Sequence, residues 1–553
     1  MQQRTLTVLD TTGIQNYIFG SNKLRENIGA SQLVEKATCD FVRDALDSLG
    51  LMHNLDASCK PNDDPSYRLE DNPALQVEVI LRGGGNVLLL FRSRATARKL
   101  VRAYSQLLLS HAPGLEITAA HQDFDWEVNA IGGADATGIH WQLFDNLNRV
   151  KQQRRASTPL LGVGVTLECR STSLAAVGFD PKDRARPVSA EVRAKIDTAT
   201  IDEANQRLEK LLPQRINEEY QIPDELDKLG RSEGESSYIA IVHADGNRMG
   251  DLFKKNVTPF NTYGQNRECL NALRTLSIAV EKAGNTALQA TIAWIGDSFS
   301  LDASEEMRRL LHDLVDDTTE KPYLPFRPIV YGGDDLTFVC DGRLGLKLAA
   351  KYLEEWEKAT SADSIIGAAY ACAGIAVVKA HYPFSRAYEL AAELCHGTKR
   401  ALREQSIEHA SALDWHFAAT GITGSPKEIR RRTYTWKHAG DLVMRPVTLA
   451  APGMQEPWRT WQNIERLIDT FKHQEPWCDR HNKIIALREA LRAGDLVTRQ
   501  FRAAYQIEQL PALEHARDTL RTSGWVDDHC GYFDAIEALE FALPLLPVSK
   551  EAS

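Results

Sequence analysis

Two adjacent aspartates, Asp334 and Asp335, follow two glycines in the stretch PIVYGGDDLTFV at residues 328–339. The flanking apolar residues predict a strand, a tight turn and a second strand. Glycine adopts backbone angles that are closed to other residues, so Gly332 and Gly333 allow a sharp turn and the close approach of a ligand. Because successive side chains of a strand point to opposite faces, we expect the two carboxylates to have different roles.

A third aspartate ends another predicted strand. The stretch YIAIVHADGN at residues 238–247 is typical of a buried strand, and it ends in Asp245. Carboxylates from two strand ends would form an oxygen-rich site that suits Mg²⁺ or Mn²⁺ carrying a nucleotide triphosphate. The next residues would open a helix whose free N–H groups favour phosphate; they are Gly246, Asn247, Arg248, Met249 and Gly250. The alternative is a plain hairpin, since Gly and Asp are common turn residues.

These residues carry a family resemblance. The segments YIAIVHADGNRMGDLF and LPFRPIVYGGDDLTFVC resemble the second palm domain of the large, polymerase-like subunit of type III CRISPR effector complexes. The segment LTVLDTTGIQNYIFGSNKLRENIGASQLVEKA near the start of the chain resembles the first palm domain of the same family. The resemblance implies a palm related to GGDEF nucleotide cyclases.

The resemblance and an internal repeat predict an α+β fold, with two ferredoxin-like palm domains and a C-terminal helical domain. The order strand, Asp, turn, helix, strand, glycine turn, strand, helix, strand occurs around residues 5–125 and again around 237–405. The expected divisions are a first palm at 1–125, an interpalm segment and linker at 126–235, a second palm at 236–420 and a helical domain at 421–553. The alternative is two copies of a common fold with no shared site.

The first palm has the glycine turn without its carboxylates, in the sequence GGGN at residues 83–86. Asp10 alone would hold a divalent ion poorly, so we expect this palm to be catalytically silent. Consecutive glycines cost conformational entropy on folding, which favours an acceptor-nucleotide pocket against Gly83 and Gly84 over scaffold alone. Ser31, at the predicted start of the following helix, could donate to a phosphate or could simply cap the helix. A hairpin that needs positive backbone angles is the alternative explanation.

The resemblance implies an enzyme in which each palm holds ATP and the second palm joins the nucleotides with loss of pyrophosphate. Asp245 and Asp334 would ligate two Mg²⁺ or Mn²⁺ ions, with Gly246 beside them, and Asp335 would be a further ligand or would position the metal-bound hydroxyl. Lys399 is the best match to a family lysine that contacts nucleotide phosphate, although a solvated helix face is an equal alternative.

The implied products are cyclic oligoadenylates, second messengers that activate ancillary nucleases and other effectors. Asn247 stands where many relatives have Asp, which leaves the number of metal ions and the nucleotide preference open. Two other functions stay open. The chain could be mainly the scaffold of an RNA-guided complex that contacts partner subunits through the helical domain and the palms, with target RNA as activator. It could also be a free-standing nucleotide cyclase with a different adenylate product.

Composition limits the function classes. The 553 residues include 65 basic and 75 acidic residues, and the net charge of −10 argues against a broadly basic surface for nucleic acid. Nine cysteines occur without a C-x-x-C pair, so we expect neither a disulfide framework nor a zinc ribbon. The resemblance implies zinc-binding cysteines in the interpalm segment, but only Cys169 is present there, so we expect no zinc. Without a signal core or an apolar span, we expect a cytoplasmic protein and no membrane partner.

We also expect no HD nuclease domain, because the palm pattern begins by residue 5. The dipeptide His312-Asp313 is the only His-Asp pair in the sequence. It lies in a predicted helix, and chance explains it best.

Overall fold

The computed structural model describes residues 2–134, 137–154, 163–198, 201–229, 237–299, 321–418, 425–436, 440–450, 456–526 and 528–543. The chain forms two compact units. The first comprises Met1–Leu211, Arg248–Asn285 and Asp363–Gly367, and the second comprises Leu212–Asn247, Thr286–Ala362 and Ala368–Ser553. Across the described ranges, every helix is too short or too polar to cross a bilayer.

Strands and helices alternate in the order that the internal repeat predicts. The strands are β1 (Gln3–Thr12), β2 (Val77–Gly83), β3 (Asn86–Phe91), β4 (Glu116–Asp125), β5 (Gly178–Phe179), β6 (Pro187–Val188), β7 (Tyr238–Gly246), β8 (Phe326–Val330), β9 (Asp335–Asp341), β10 (Ala371–Lys379), β11 (Ala412–Ala418), β12 (Thr435–Trp436), β13 (Gly440–Asp441), β14 (Val447–Thr448), β15 (Trp525–Val526) and β16 (His529–Cys530). The α-helices are α1 (Ile14–Phe19), α2 (Leu24–Thr38), α3 (Asp40–Ser48), α4 (Arg94–His111), α5 (Ile139–Gln153), α6 (Ala190–Thr198), α7 (Ile201–Glu209), α8 (Gln214–Glu219), α9 (Met249–Val257), α10 (Asn266–Ser298), α11 (Gly345–Ser361), α12 (Phe384–Glu404), α13 (Pro426–Thr433), α14 (Trp461–His473), α15 (His481–Arg492), α16 (Asp495–Ala504), α17 (Thr519–Ser523) and α18 (Phe533–Ala538).

The first unit is built on a four-stranded sheet in the order β2-β3-β1-β4, with every neighbouring pair antiparallel. Leu6 and Val8 of β1 lie opposite Leu90 and Leu88 of β3, so all four side chains share one face and enter the core. Helices α4 and α5 pack on β1 and β4. This is the strand order and helix placement of a ferredoxin-like palm.

The second unit repeats this arrangement. Its six-stranded sheet has the order β14-β11-β10-β7-β9-β8, in which β10, β7, β9 and β8 correspond to β4, β1, β3 and β2. Helix α12 packs so closely on β10 that a Cβ added to Gly374 would lie 2.0 Å from the carbonyl oxygen of Ala391. The predicted α+β class with two palm domains is confirmed.

Helix α9 and the first part of α10 belong to the core of the first unit. Val257, Cys269, Leu270 and Leu273 are buried in the same cluster as the apolar residues of β1 and β3. Arg267 of α10 donates from Nε to a carboxylate oxygen of Glu70 at 2.6 Å. The sequence pattern assigned this stretch to the second palm at 236–420, because it precedes the GGDD hairpin in the chain, but Arg248–Asn285 belongs to the first unit.

The C-terminal part of the chain is helical, as predicted, but it also contains a small sheet. Helix α14 buries an apolar stripe that comprises Ile464, Leu467, Ile468 and Phe471. The four short strands have the order β12-β13-β16-β15. Each is two residues long, which is too short for an alternating pattern to reveal.

Candidate active site

Strands β7 and β9 place two of the three aspartates directly opposite each other. Asp245 pairs with Asp335 in the antiparallel register, so their side chains share one face of the sheet. Asp334 lies in the turn just before β9, and its carbonyl oxygen accepts a hydrogen bond from the backbone N–H of Gly246 at 3.2 Å. The structure therefore brings the three predicted carboxylates to one end of the sheet, and the register makes Asp335 the direct partner of Asp245.

Lys399 points from α12 towards these carboxylates. Its Nζ donates to Oδ2 of Asp245 at 2.6 Å and to the carbonyl oxygen of Gly246 at 2.8 Å. Only 10 % of its side chain is exposed. The alternative was that Lys399 lies on a solvated helix face. The next residue, Arg400, is exposed in this way, but Lys399 is not.

Burial and the neighbouring carboxylates raise the pKa values of Asp334 and Asp335. Burial raises the pKa of Asp335 to about 7, Asp245 adds to the shift, and Lys399 opposes it. Burial likewise raises the pKa of Asp334 to about 6, with further contributions from Asp245 and Asp335. One lysine does not neutralise three carboxylates, so additional positive charge at the site would stabilise their ionised forms.

Two buried oxygen atoms at this end of the sheet accept no hydrogen bond. They are Oδ1 of Asp335 and Oδ1 of Asn247. A buried acceptor without a donor is costly unless a ligand or an ion compensates it. Oxygen donors are what Mg²⁺ and Mn²⁺ prefer, so the residues present fit the predicted metal ions.

His243 is a site residue that the sequence did not indicate. Its Nδ1 lies 3.1 Å from Oγ1 of Thr337 and 3.4 Å from Oδ1 of Asp335. Its ring packs edge-on against Tyr388, and burial lowers its pKa to about 4, so the imidazole is neutral at pH 7. His243 lies two residues before Asp245 on β7 and thus on the same face, which is the only signal that could have identified it.

The residues predicted to bind phosphate lie around the start of α9. Asn247 donates its backbone N–H to the carbonyl oxygen of Tyr370 at 2.7 Å, and Arg248 adopts a left-handed conformation with φ of 58°. Helix α9 begins at Met249, and a Cβ added to Gly250 would meet no atom within 4 Å. Arg248, Met249 and Gly250 belong to the first compact unit, whereas the carboxylates belong to the second.

The glycines of the two hairpins differ in what the backbone requires. Gly332 has a φ of 103°, while Gly333 has no positive φ and has open space around its Cα. In the first palm, Gly83, Gly84 and Gly85 have φ angles of 147°, 57° and 78°. These angles account for all three glycines, so the glycine run by itself does not indicate a ligand.

The first palm nevertheless repeats the polar geometry of the second. Asp10 lies opposite Asn86, and the backbone N–H of Thr11 donates to the carbonyl oxygen of Gly85 at 2.9 Å. Nζ of Lys151, on α5, lies 2.7 Å from Oδ2 of Asp10. This pair matches Lys399 and Asp245 in the second palm. The sequence did not indicate Lys151, because it lies beyond the expected end of the first palm at residue 125.

Ser31 is not where the sequence placed it. Helix α2 begins at Leu24 with Lys23 at its N-cap, so Ser31 lies in the middle of the helix and does not cap it. The helix therefore starts seven residues before the position that the sequence indicated. Of the other predicted features, Cys169 is buried against Val188 in a small cluster, and His312-Asp313 lies outside the described residues.

Comparison with known proteins gives the family context of this site. Residues 238–407 match the family profile described as Cas10/Cmr2, second palm domain. Over these residues the chain is similar to the second palm domain of Cas10/Cmr2. The predicted resemblance to the large subunit of type III CRISPR complexes is thereby confirmed. The comparison with curated proteins found no match.

Solved structures show the same fold. A Csm1–Csm4 cassette in complex with AMPPNP matches with a TM-score of 0.51 and 13 % identity, covering 97 % of this chain and 70 % of that chain. The cassette in complex with pppApA matches with a TM-score of 0.50 and 13 % identity, covering 97 % and 69 %. Csm1 in T. onnurineus matches with a TM-score of 0.49 and 13 % identity, covering 98 % and 70 %. The first two similarities agree with the two-palm fold of this chain.

Proposed function

We propose that this chain is a cytoplasmic, metal-dependent nucleotidyltransferase that makes cyclic oligoadenylates from ATP as the large subunit of a type III CRISPR RNA-guided complex. The observation that carries the proposal is the cluster of Asp245, Asp334 and Asp335 against Lys399 at one sheet end. The match of residues 238–407 to a Cas10/Cmr2 palm supports it. Similar Csm1–Csm4 cassettes are in complex with AMPPNP and with pppApA, which are adenylates.

Asp245, Asp334 and Asp335 would hold two Mg²⁺ or Mn²⁺ ions. Bound ions of this kind neutralise triphosphate charge and lower the pKa of an attacking hydroxyl. His243 faces Oδ1 of Asp335 at 3.4 Å and so restricts the orientation of that carboxylate. The ammonium group of Lys399 pairs with Asp245, and in this proposal it would contact a phosphate once substrate binds.

The raised pKa values of Asp334 and Asp335 predict a pH-dependent response of stability to metal. A carboxyl group whose pKa is higher in the folded than in the unfolded protein stabilises the fold below its unfolded pKa, and this stabilisation is lost as pH rises through the folded value. The contribution of Asp334 and Asp335 to the stability of the metal-free protein should therefore fall as pH rises from about 4 to about 7, the range between the unfolded pKa and the folded values of about 6 and about 7. Mn²⁺ should raise the melting temperature at pH 7.5 and should have little effect at pH 5, where protons compete for the same carboxylates.

Thermal unfolding at the two pH values, with and without Mn²⁺, measures this response. Asp469→Asn is a matched control, because the side chain of Asp469 on α14 is 60 % exposed. Its partners in the described part of the chain are the ring of His473 and the side-chain amide of Gln474. It should keep the wild-type response. A metal shift of equal size at pH 5 and pH 7.5 would contradict the assignment of these carboxylates as the metal site.

We further propose that the first palm binds the acceptor nucleotide through Gly83, Gly84 and the Lys151–Asp10 pair, without binding catalytic metal. The preserved lysine supports this more strongly than the glycines, since the glycines are explained by their backbone angles. In this proposal the hydroxyl group of Ser31 donates a hydrogen bond to a phosphate. Ser31 does so from within α2 and not as a helix cap.

Replacing Gly84 with Leu should block synthesis while Mn²⁺ binding at Asp245 and Asp334 is kept. A Cβ at Gly84 meets no protein atom within 4 Å, so the added side chain would occupy space outside the protein where a nucleotide would lie. Gly84→Asn is the control, because Asn tolerates the φ of 57° and is shorter. If Gly84→Leu folds and synthesises at the wild-type rate, the first palm is scaffold only.

The partners follow from the same proposal. The C-terminal helical domain and the palms would contact the subunits of the guide-RNA complex, and target RNA would act as the activator. The similar Csm1 chains are in cassettes with Csm4. Purification of this chain from its native cells tests this assignment: bound small RNA and partner proteins support a complex, and their absence from active protein supports the free-standing cyclase.

Pyrophosphate release tests the reaction class itself. Chain purified with its partners and incubated with ATP and Mn²⁺ should release pyrophosphate in proportion to the ATP consumed. Release of orthophosphate alone would identify an ATPase and would overturn the nucleotidyltransferase proposal.

A further inference from the structure

A cluster of two thiols and one carboxylate lies in the first unit, away from the residues discussed above. Cys39 joins α2 to α3 and is half-buried, Asp40 is the first residue of α3, and Cys59 is fully buried in the segment that follows α3. The two sulfur atoms and a carboxylate oxygen of Asp40 lie within 4.8 Å of one another. In the described part of the chain, this is the one group of three His, Cys, Asp or Glu side chains whose ligand atoms are close enough to share a metal ion.

The distances match the edges of a tetrahedral zinc site. Oδ1 of Asp40 lies 3.6 Å from Sγ of Cys39 and 3.7 Å from Sγ of Cys59. Zinc bonds of about 2.3 Å to sulfur and about 2.1 Å to oxygen at tetrahedral angles place the two ligand atoms about 3.6 Å apart. Each sulfur thus lies at a ligand-to-ligand distance from Oδ1 of Asp40, and the two sulfur atoms lie within 4.8 Å of each other. Thiolates select a borderline-soft ion such as Zn²⁺ over Mg²⁺.

Neighbouring groups hold Cys59 in an otherwise unfavourable conformation. Cys59 has a φ of 57°, which a side chain other than Gly, Asn or Asp rarely adopts. The turn before it is fixed by Asp56, whose Oδ1 accepts from the backbone N–H groups of Ser58 and Lys60, each at 2.8 Å. Nε of Arg82 donates to the carbonyl oxygen of Cys59 at 2.8 Å. Strain of this kind persists where the surrounding structure holds the residue in place.

Positive charge beside the sulfur of Cys59 favours its thiolate, whereas the hydrogen bond to Cys59 and burial raise the pKa of Cys39. Nη1 of Arg43 lies 3.5 Å from Sγ of Cys59 and also donates to the carbonyl oxygen of Ala57 at 2.7 Å. The hydrogen bond from Cys39 lowers the pKa of Cys59, and Arg43 and Arg82 add to this effect. Arg43 contacts the sulfur of Cys59 and Arg82 its carbonyl oxygen, and contacts of this kind orient the ligands of a metal ion.

We propose that Cys39, Asp40 and Cys59 bind one Zn²⁺ ion, with water completing the tetrahedron. A peroxide-sensitive disulfide is the less favoured use of the same pair, because the sulfur with the lowered pKa, that of Cys59, is fully buried. The ion would fasten the segment after α3 to the α2–α3 junction. Through Arg82, which adjoins Gly83, it would also support the glycine turn of the first palm.

Cobalt substitution tests the proposal directly. Full-length protein, reduced and freed of metal, should bind one equivalent of Co²⁺ with an intense near-ultraviolet sulfur-to-metal absorption, and Zn²⁺ should displace it. Co²⁺ bound to oxygen ligands at Asp245, Asp334 and Asp335 lacks this absorption, so the two sites are distinguished. Cys39→Ser should weaken the absorption and lower the Co²⁺ affinity at least about tenfold, whereas Cys478→Ser, at a cysteine on the other compact unit, should leave both unchanged.

The wild-type spectrum decides the matter even if a variant fails to fold. Absence of the sulfur-to-metal absorption from reduced wild-type protein would overturn the proposal. The proposal would equally fail if the absorption persisted undiminished in folded Cys39→Ser, or if reduced protein bound no Zn²⁺ while unreduced protein carried a Cys39–Cys59 disulfide.

Discussion

The double variant Asp334→Asn with Asp335→Asn is expected to lose nucleotide synthesis while remaining folded. Asparagine keeps the shape of each side chain but removes the negative charge that would hold Mg²⁺ or Mn²⁺. We expect product formation from ATP to fall by at least about 10³-fold, because the charge stabilisation supplied by bound metal is a major part of phosphoryl-transfer catalysis. Initial rates of ATP consumption at saturating Mn²⁺ measure the effect.

The same variant should melt at a higher temperature than the wild type when metal is absent. Burial and the neighbouring carboxylates raise the pKa values of Asp334 and Asp335, which means that their charged forms destabilise the metal-free fold at pH 7.5. Neutral asparagine removes that destabilisation and also removes the response to Mn²⁺. Undiminished synthesis by the folded double variant would end the catalytic assignment, and a large fall in melting temperature would instead give these residues a structural role.

Lys399→Met is expected to cause the second-largest loss. The ammonium group of Lys399 is the positive charge that contacts Asp245 and the carbonyl oxygen of Gly246, and 10 % of the side chain is exposed. Methionine fills similar volume without the charge, so substrate phosphates would meet the carboxylates with less compensation. We expect synthesis to fall about 10²–10³-fold, the range seen when one charged or hydrogen-bonding group is removed from a reacting centre.

Two matched variants interpret this result. Arg400→Met removes an exposed charge from the next position of the same helix and should leave synthesis unchanged. Lys399→Arg keeps the charge and should recover part of the activity, although a guanidinium does not reproduce the compact ammonium group. If Lys399→Met and Arg400→Met were equally active, Lys399 would have no part in the reaction.

The sequence predicted those parts of the fold that depend on local pattern. Alternating strands, glycine turns and helical periodicity predicted the four repeated strands of each palm and the strand ends that carry Asp245, Asp334 and Asp335. The register was not predictable from the same pattern. A one-residue change in pairing exchanges the two faces of a strand, and the observed pairing sets Asp335, rather than Asp334, opposite Asp245.

The other residues that the sequence did not indicate depend on contacts between distant segments. Lys151 reaches Asp10 across 141 positions, from a helix that follows the expected end of the palm. His243 looks like an ordinary member of a buried strand until β9 places Thr337 and Asp335 beside it. Nothing in the local sequence of Cys39 and Cys59 shows that the segment after α3 returns to the α2–α3 junction.

The mass of the reaction product tests the central claim most directly. The chain, purified with its partners and RNA, should convert ATP in the presence of Mn²⁺ into species whose masses are whole multiples of an adenylate residue. These species should carry no terminal phosphate and should resist phosphatase. The Asp334→Asn, Asp335→Asn variant purified in the same way should yield none of them. Recovery of only ATP, ADP and AMP from the wild-type protein under these conditions would contradict the proposal that this site makes cyclic oligoadenylates.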